Sequence, residues 1–218
     1  MLQITAIEPQ KKIKGRLNLF INGQFAAGVS QLTALEYNLQ VGKNLAQKEL
    51  ARIILKEEIT KLTDKVLRFL AVRPRSEKEV IDYLVKKIAK TQNVKINQAK
   101  DSLLIAPIIT KLKKYQYLND RQFAKWWISS RERSNPKGAL VLKAELIQKG
   151  IAKDIIESVL SNLPDQFATA KKLIQKKSKL WQKLSPLEFK RKIYQYLASR
   201  GFDYETIRRI VAFLGKNG

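Results

Sequence analysis

Apolar and polar residues alternate along Leu2-Gln3-Ile4-Thr5-Ala6-Ile7 and again along Leu17-Asn18-Leu19-Phe20-Ile21, the period of a strand with one buried face. Asn22-Gly23, a pair suited to a two-residue hairpin turn, then leads into Gln24-Phe25-Ala26. These segments predict a small antiparallel sheet. Ser30 is placed to cap a short helix through Tyr37, and Leu50, Ile53 and Ile54 share one face of a longer helix beginning near Gln47. Residues 1–62 therefore read as an N-terminal arm, a β-hairpin or sheet plus helix.

From Thr63 onward the period becomes helical, and the helices recur in threes. Val66, Leu67 and Leu70 form the first apolar face, which stops before Pro74 and restarts at Ser76, where Glu79 completes a capping box ahead of Val80 and Leu84. A second repeat carries Phe123, Ala124, Trp127 and Ile128, breaks at Asn135-Pro136 with proline read as a helix-starting residue, and resumes at Leu142 and Leu146. The third breaks at Ser185-Pro186, with Glu188 placed for another capping box. Pro74 to Leu84 and Pro136 to Leu146 are both ten residues apart, and Pro186 to Leu197 is eleven, which marks a true repeat. Lys149-Gly150-Ile151 and Arg200-Gly201-Phe202 end the second helices alike, with glycine free to take a left-handed conformation. Third helices follow, carrying Ile155, Ile156, Val159 and Ile207, Ile210, Val211. The fold class expected is mainly α: three tandem three-helix, helix-turn-helix-like repeats over 63–118, 119–163 and 164–218, stacked in an elongated, curved array. The first repeat departs from the scheme through an insertion of about 15 residues, including Thr91 to Ala99, that extends a helix and forms a loop.

Composition narrows what such an array could do. Lysine and arginine number 43 against 19 acids, a net charge of +24, which calls for an anionic partner. The excess is uneven: residues 1–62 hold 9 basic and 5 acidic side chains, leaving 34 and 14 in the remainder. Nucleic acid is the leading partner, and the surface that meets it is expected after Lys61. No stretch reaches the roughly 20 apolar residues of a membrane span and no signal-peptide pattern opens the chain, so the expected location is cytoplasmic. Cysteine and histidine are absent, which removes thiolate nucleophiles, imidazole bases and the usual zinc ligands. Neither a glycine-rich phosphate loop nor an acid cluster is visible, so neither cofactor nor metal is expected, and an enzyme such as a nuclease is disfavoured. The adjacent acids Glu57 and Glu58 read as part of a solvated helix surface. No coiled-coil seam is present, and a monomer is expected.

The candidate binding residues are Arg73, Arg75, Arg121, Lys125, Arg131, Arg133, Lys137, Lys143 and Lys149, which gather around the first two helix breaks. Trp126 and Trp127 are neighbours on one helix, so only one can face the core fully; Trp127 is assigned inward with Phe123, and Trp126 is left as a contact surface. The lysine run Lys171, Lys172, Lys176, Lys177, Lys179 and Lys183 reads as a solvated face that adds to long-range attraction. Charge reversal at Arg73 and Arg75, or at Arg131 and Arg133, is expected to weaken partner binding more than reversal at Lys11 and Lys12. Basic residues spread over several repeats suit a long polyanion better than one short operator, although the helix-turn-helix likeness keeps a stand-alone nucleic-acid-binding protein or transcriptional regulator as the alternative.

Two segments resemble the signatures of the RecX family, which modulates the RecA recombinase. The first is Phe69-Leu70-Ala71-Val72-Arg73-Pro74-Arg75-Ser76-Glu77-Lys78-Glu79-Val80 followed by Tyr83-Leu84. The second is Tyr117-Leu118-Asn119-Asp120, then Phe123-Ala124, Arg131, Pro136-Lys137-Gly138, Glu145-Leu146 and Lys149-Gly150-Ile151. The N-terminal sheet is similar to an arm found in one branch of that family. The resemblance implies three tandem three-helix repeats, and docking on the RecA filament on single-stranded DNA, with double-stranded DNA as a further ligand. It also implies inhibition of ATP hydrolysis, filament growth and strand exchange in recombination and DNA repair. Two departures stand out: Gln116 occupies the place where the family pattern calls for glycine, and the insertion in the first repeat is unusual.

Overall fold

A computed structural model describes residues 2–11, 13–181 and 183–215. Lys12, one of the two lysines chosen above as a reference, lies outside them, and so does the side chain of Lys179.

The alternating segments form the strands they predict. β1 (Leu2–Pro9), β2 (Arg16–Ile21), β3 (Gln24–Ser30) and a short β4 (Asn44–Leu45) make a four-stranded sheet in the order β3-β2-β1-β4. Its neighbouring strands pair antiparallel. Asn22 and Gly23 both have positive φ, 50° and 80°, the turn conformation that matches the twist of a tight hairpin. β4 lies beyond the sequence reading because a two-residue strand has no period to detect. α1 (Gln31–Glu36) is capped by Ser30, whose hydroxyl accepts from the Thr33 N–H, and it ends at Tyr37.

The next helix, α2 (Gln47–Val72), runs unbroken for 26 residues and crosses the expected arm boundary at residue 62. No proline or glycine interrupts it before Pro74, and the Thr60 and Thr63 hydroxyls donate back to the carbonyls of Lys56 and Ile59 within the helix. It corrects the reading of Glu57, which is 2% exposed and not solvated. Arg16 Nη2 lies 2.7 Å from its carboxylate and the Ser30 N–H donates to it at 2.8 Å, so α2 is tied to the sheet. Burial would raise this carboxyl, but hydrogen bonds from Ser30, Thr33 and Arg16, with the guanidinium charge, hold it below its ordinary value. Ile4, Leu19, Val29, Leu45 and Ile53 form the core between sheet and helix.

The remaining helices are α3 (Glu77–Gln92), α4 (Ile96–Lys100), α5 (Ile105–Lys114), α6 (Asp120–Ser134), α7 (Ala139–Gln148), α8 (Lys153–Leu160), α9 (Gln166–Ser178), α10 (Pro186–Ser199) and α11 (Tyr204–Gly215). The fold is mainly helical, with three three-helix units: the end of α2 with α3 and α5, then α6–α8, then α9–α11. The insertion in the first unit supplies the end of α3 and the short α4. Phe123, Leu142, Leu146 and Ile156 centre the second core, and Ile174, Ile193, Leu197 and Ile210 the third. Pro136 is not at a helix start: α7 begins at Ala139 with Gly138 as its N-cap, because Gly138 and Leu140 spend their backbone N–H groups on the carbonyls of Arg200 and Gly201. Ser185 and Glu188 form the capping box of α10. Gln116 has φ +60°, the left-handed conformation that explains why glycine suits the position.

By compactness the chain divides into two units, one made of the residues up to Val72 with Tyr83–Tyr117, the other of Arg73–Asp82 with the residues from Leu118 onward. The first holds the sheet, α1, α2, α4 and α5, with Leu62, Val66, Ile88, Ile108 and Leu112 buried and Phe69 stacked on Tyr83 at 4.3 Å. The candidate residues all belong to the second.

Candidate functional site

Pro74 ends α2 and leaves Arg73, Arg75 and Ser76 in the link before α3. Ser76 is fully buried, accepts from the Glu79 N–H at 3.2 Å and donates to the Lys149 carbonyl at 2.8 Å. The start of α3 is thereby seated on the turn that ends α7. Gly150 in that turn has φ +78°, and a Cβ there would lie 2.8 Å from Lys78 Cβ, so glycine serves both the turn and the close approach. Glu79 does more than close its capping box. Its oxygens accept from both Arg73 guanidinium nitrogens, at 3.0 and 3.1 Å, and from Lys149 Nζ at 2.7 Å. Burial alone would raise this carboxyl, yet the hydrogen bonds and charges of Arg73 and Lys149 bring it down to about 2.

Beside this group lie both tryptophans, each half-buried. Trp127 packs on Phe123 as expected but is not enclosed: its Nε1 donates to Glu145 at 2.7 Å, and its ring lies under Arg131 and Lys149 at 4.6 and 4.8 Å. Adjacent helical positions are about 100° apart, which leaves both indoles at the edge of the core, and an indole N–H needs a partner. Arg131 Nε also donates to Glu145, at 2.9 Å. Trp126 contacts Phe123 and carries the Arg73 guanidinium 5.5 Å from its ring centroid. The result is a lattice of three cations, two carboxylates and two indoles.

A second seat of the same kind joins α7 to the turn that ends α10. The Gly138 N–H donates to the Arg200 carbonyl at 2.8 Å, and Arg200 Nη1 donates to Asn135 Oδ1 at 2.6 Å and to the Pro136 carbonyl at 3.2 Å. Gly201 has φ +83°, and a Cβ there would lie 2.5 Å from the Val141 backbone nitrogen.

The structure thus brings together Arg73, Arg131, Lys149 and Trp126 of the ten candidates and engages them within the protein. Arg75 is half-buried, and burial, followed by the charge of Arg73, lowers the pKa of its guanidinium below the ordinary value. Arg121 donates to Ser158 Oγ at 2.8 Å. Lys125, Arg133 and Lys143 are exposed and Lys137 half-exposed, and none of the four makes an ion pair with a described residue. Arg133 lines a cleft with Lys172 and Lys176. The sequence reading missed Glu79 and Glu145 as organising groups, because it weighed cations without asking which acids would meet them. Chemically, paired cations have little charge left for an outside anion, whereas unpaired ones can release counterions on binding.

Four family descriptions match successive segments: the regulatory protein RecX N-terminal domain over residues 2–46, and the first, second and third RecX three-helix domains over 64–89, 119–160 and 164–211. The chain is 35% identical over 209 residues to the regulatory protein RecX of Bacillus pumilus, covering 95% of this chain and 75% of that protein. To the regulatory protein RecX of Bacillus subtilis it is 35% identical over 206 residues, covering 94% and 74%. Among solved structures, a crystal structure of regulatory protein RecX superposes with a TM-score of 0.73 at 26% identity, covering 96% of this chain and 98% of that one. RecX from Lactobacillus salivarius superposes at 0.61 and 26% identity, covering 73% and 98%. Sheet, three-helix units and sequence agree over nearly the whole length, and the chain belongs to the RecX family of regulatory proteins.

Proposed function

We propose that this protein is a non-enzymatic regulator, acting as a monomer in the cytoplasm, that docks on the RecA filament on single-stranded DNA and restrains its ATP hydrolysis, growth and strand exchange. The observation that carries this reading is the likeness to proteins named regulatory protein RecX, which extends over 94–95% of the chain. The charge distribution supports it, since residues 63–218 hold 34 basic side chains against 14 acids. That excess favours fast encounter with a polyanion and an affinity that falls with salt. The candidate contacts are the exposed or half-exposed Arg121, Lys125, Arg133, Lys137 and Lys143, while Arg73, Arg131 and Lys149 hold the surface in shape.

The test is the rate of single-stranded-DNA-dependent ATP hydrolysis by the cognate RecA with this protein titrated in at two salt concentrations. Salt-sensitive inhibition well below one molecule per protomer is expected. No change in hydrolysis at near-stoichiometric amounts, despite DNA binding, would replace this reading with that of a stand-alone nucleic-acid-binding protein.

A further inference from the structure

The end of α6, the link after it and one face of α9 enclose a cleft of about 810 Å³ within the second compact unit. Arg133 stands on one side, and Lys172 and Lys176 stand on the other, four residues apart and so on the same face of α9. Glu132 is the single acid among the lining residues, so the cleft carries two positive charges in excess. Arg133, Lys172 and Lys176 are exposed, and their charges are not engaged by described carboxylates. Leu173 and Pro136 supply apolar lining, which sharpens the field of charges held in a concavity.

The walls are also fixed before any ligand arrives. Pro136 is held through its carbonyl by Arg200, and two residues on, Gly138 is packed so closely on Gly201 that a Cβ would lie 2.2 Å from the Gly201 oxygen. A site held in this way loses little conformational freedom on binding.

We infer that this cleft holds the phosphodiester backbone of a single nucleic-acid strand, with Arg133 on one side of the strand and Lys172 and Lys176 on the other. The inference rests on the proposed contact with nucleic acid and deepens it, since it moves that contact to two lysines that read from sequence as a solvated helix face. The volume falls within the range of ligand-binding clefts, roughly 300–1,000 Å³. Lys172 and Lys176 have Cβ atoms about 5–6 Å apart, one helical turn, a spacing on the scale of successive phosphates in an extended strand. The arginine can fork onto one phosphate while the lysines act as point charges.

The test uses the full chain and a fluorescein-labelled oligothymidylate, with anisotropy read over a series of salt concentrations. Lys172→Glu with Lys176→Glu is compared with Lys11→Glu with Lys14→Glu, which changes the net charge equally on the exposed N-terminal arm. Thermal unfolding followed by circular dichroism checks that both remain folded, and Lys172→Gln with Lys176→Gln serves as the milder pair. The cleft pair should lose about tenfold in affinity and lower the slope of log K against log salt by about 1.4, two contacts at about 0.7 each. The arm pair should lose no more than about threefold, the share expected from long-range charge alone. Equal losses in the two pairs, or oligonucleotide binding unchanged by both cleft pairs, would overturn the inference. The RecA hydrolysis assay separates the two readings: a cleft that binds the strand without changing hydrolysis leaves the inference standing and removes the proposed function. Inhibition of hydrolysis by a chain whose cleft variants bind the strand normally does the reverse.

Discussion

The seat of α3 on the turn at Gly150 and the seat of α7 on the turn at Gly201 are built alike, and their flanks are used in opposite ways. Counting from Pro74 and Pro136, the matching positions are Arg73 and Asn135, Ser76 and Gly138, and Glu79 and Val141; before the turn glycines stand Lys149 and Arg200. At the first seat, Ser76 Oγ reaches the Lys149 carbonyl, and Glu79 pairs with both Arg73 and Lys149. At the second, the Gly138 N–H reaches the Arg200 carbonyl, Val141 offers no acid, and Arg200 keeps its charge on neutral acceptors beside an open basic cleft. One carboxylate, present at one seat and replaced by valine at the other, separates a seat held by ion pairs from one whose arginine bonds neutral acceptors.

The largest effect should come from breaking the seats themselves. Gly201→Ala forces a side chain into a left-handed residue and against the Val141 backbone nitrogen, for a loss of about 3 kcal/mol. Gly150→Ala meets only the Lys78 side chain and should lose about 2 kcal/mol. Urea denaturation of the two variants checks the order, and equal losses would show that the seats do not differ in closeness.

Next comes the carboxylate that separates them. Glu79→Gln should cost about 1–2 kcal/mol at neutral pH, since the partly exposed pairs keep some of their charge interaction in solvent. The folded carboxyl titrates at about 2, below its ordinary 4.5, so its contribution is fully present above the higher value and is lost as pH falls through the lower. Denaturation midpoints of the two proteins should therefore stay apart above pH 4.5 and converge between pH 4.5 and 2. A constant gap across that window would show that Glu79 acts through shape and not through charge.

A turn outside both seats supplies a reference for backbone strain alone. Gln116 holds the same left-handed conformation with its side chain in place, so Gln116→Gly should stabilise the protein by about 1 kcal/mol. A loss of stability in the same denaturation experiment would mean that its side chain makes contacts that outweigh the strain. The smallest effect concerns binding: Arg133→Gln should weaken oligothymidylate binding about threefold, near 0.7 kcal/mol, while Arg131→Gln, two residues away but paired with Glu145, should change stability more than affinity. A reversed pattern in anisotropy and unfolding would erase the distinction drawn between the seats.

Much of this was legible in the chain. The hairpin at Asn22-Gly23, the caps at Ser30, Ser76 and Ser185, and the helix-ending glycines are local signals, and each turned out as its spacing implied. Trp127 is less enclosed than its helical position implies, because its surroundings depend on Glu145 and Lys149, far along the chain, whereas Lys172 and Lys176 are exposed as a solvated face requires. Glu57 shows the same gap: beside Glu58 it looks solvated, and only the return of Arg16 and Ser30 to α2 makes it a buried ion pair. The cations at 11 and 12 illustrate the limit of counting charge, since a reference chosen by distance along the chain says nothing of what a residue faces.

The sequence by itself determined the period of the longer strands and helices, the repeat of proline, apolar residue and glycine, the positive excess after residue 62 and the family signatures, because each rests on residues near one another in the chain. Tertiary structure decided which cations are paired, where the indoles lie and where a cleft opens. Those outcomes follow from contacts such as Glu79 with Lys149 and Asn135 with Arg200, separated by 70 and 65 residues, whose energies depend on distance in space and on exclusion from water. Neither quantity is written in local spacing.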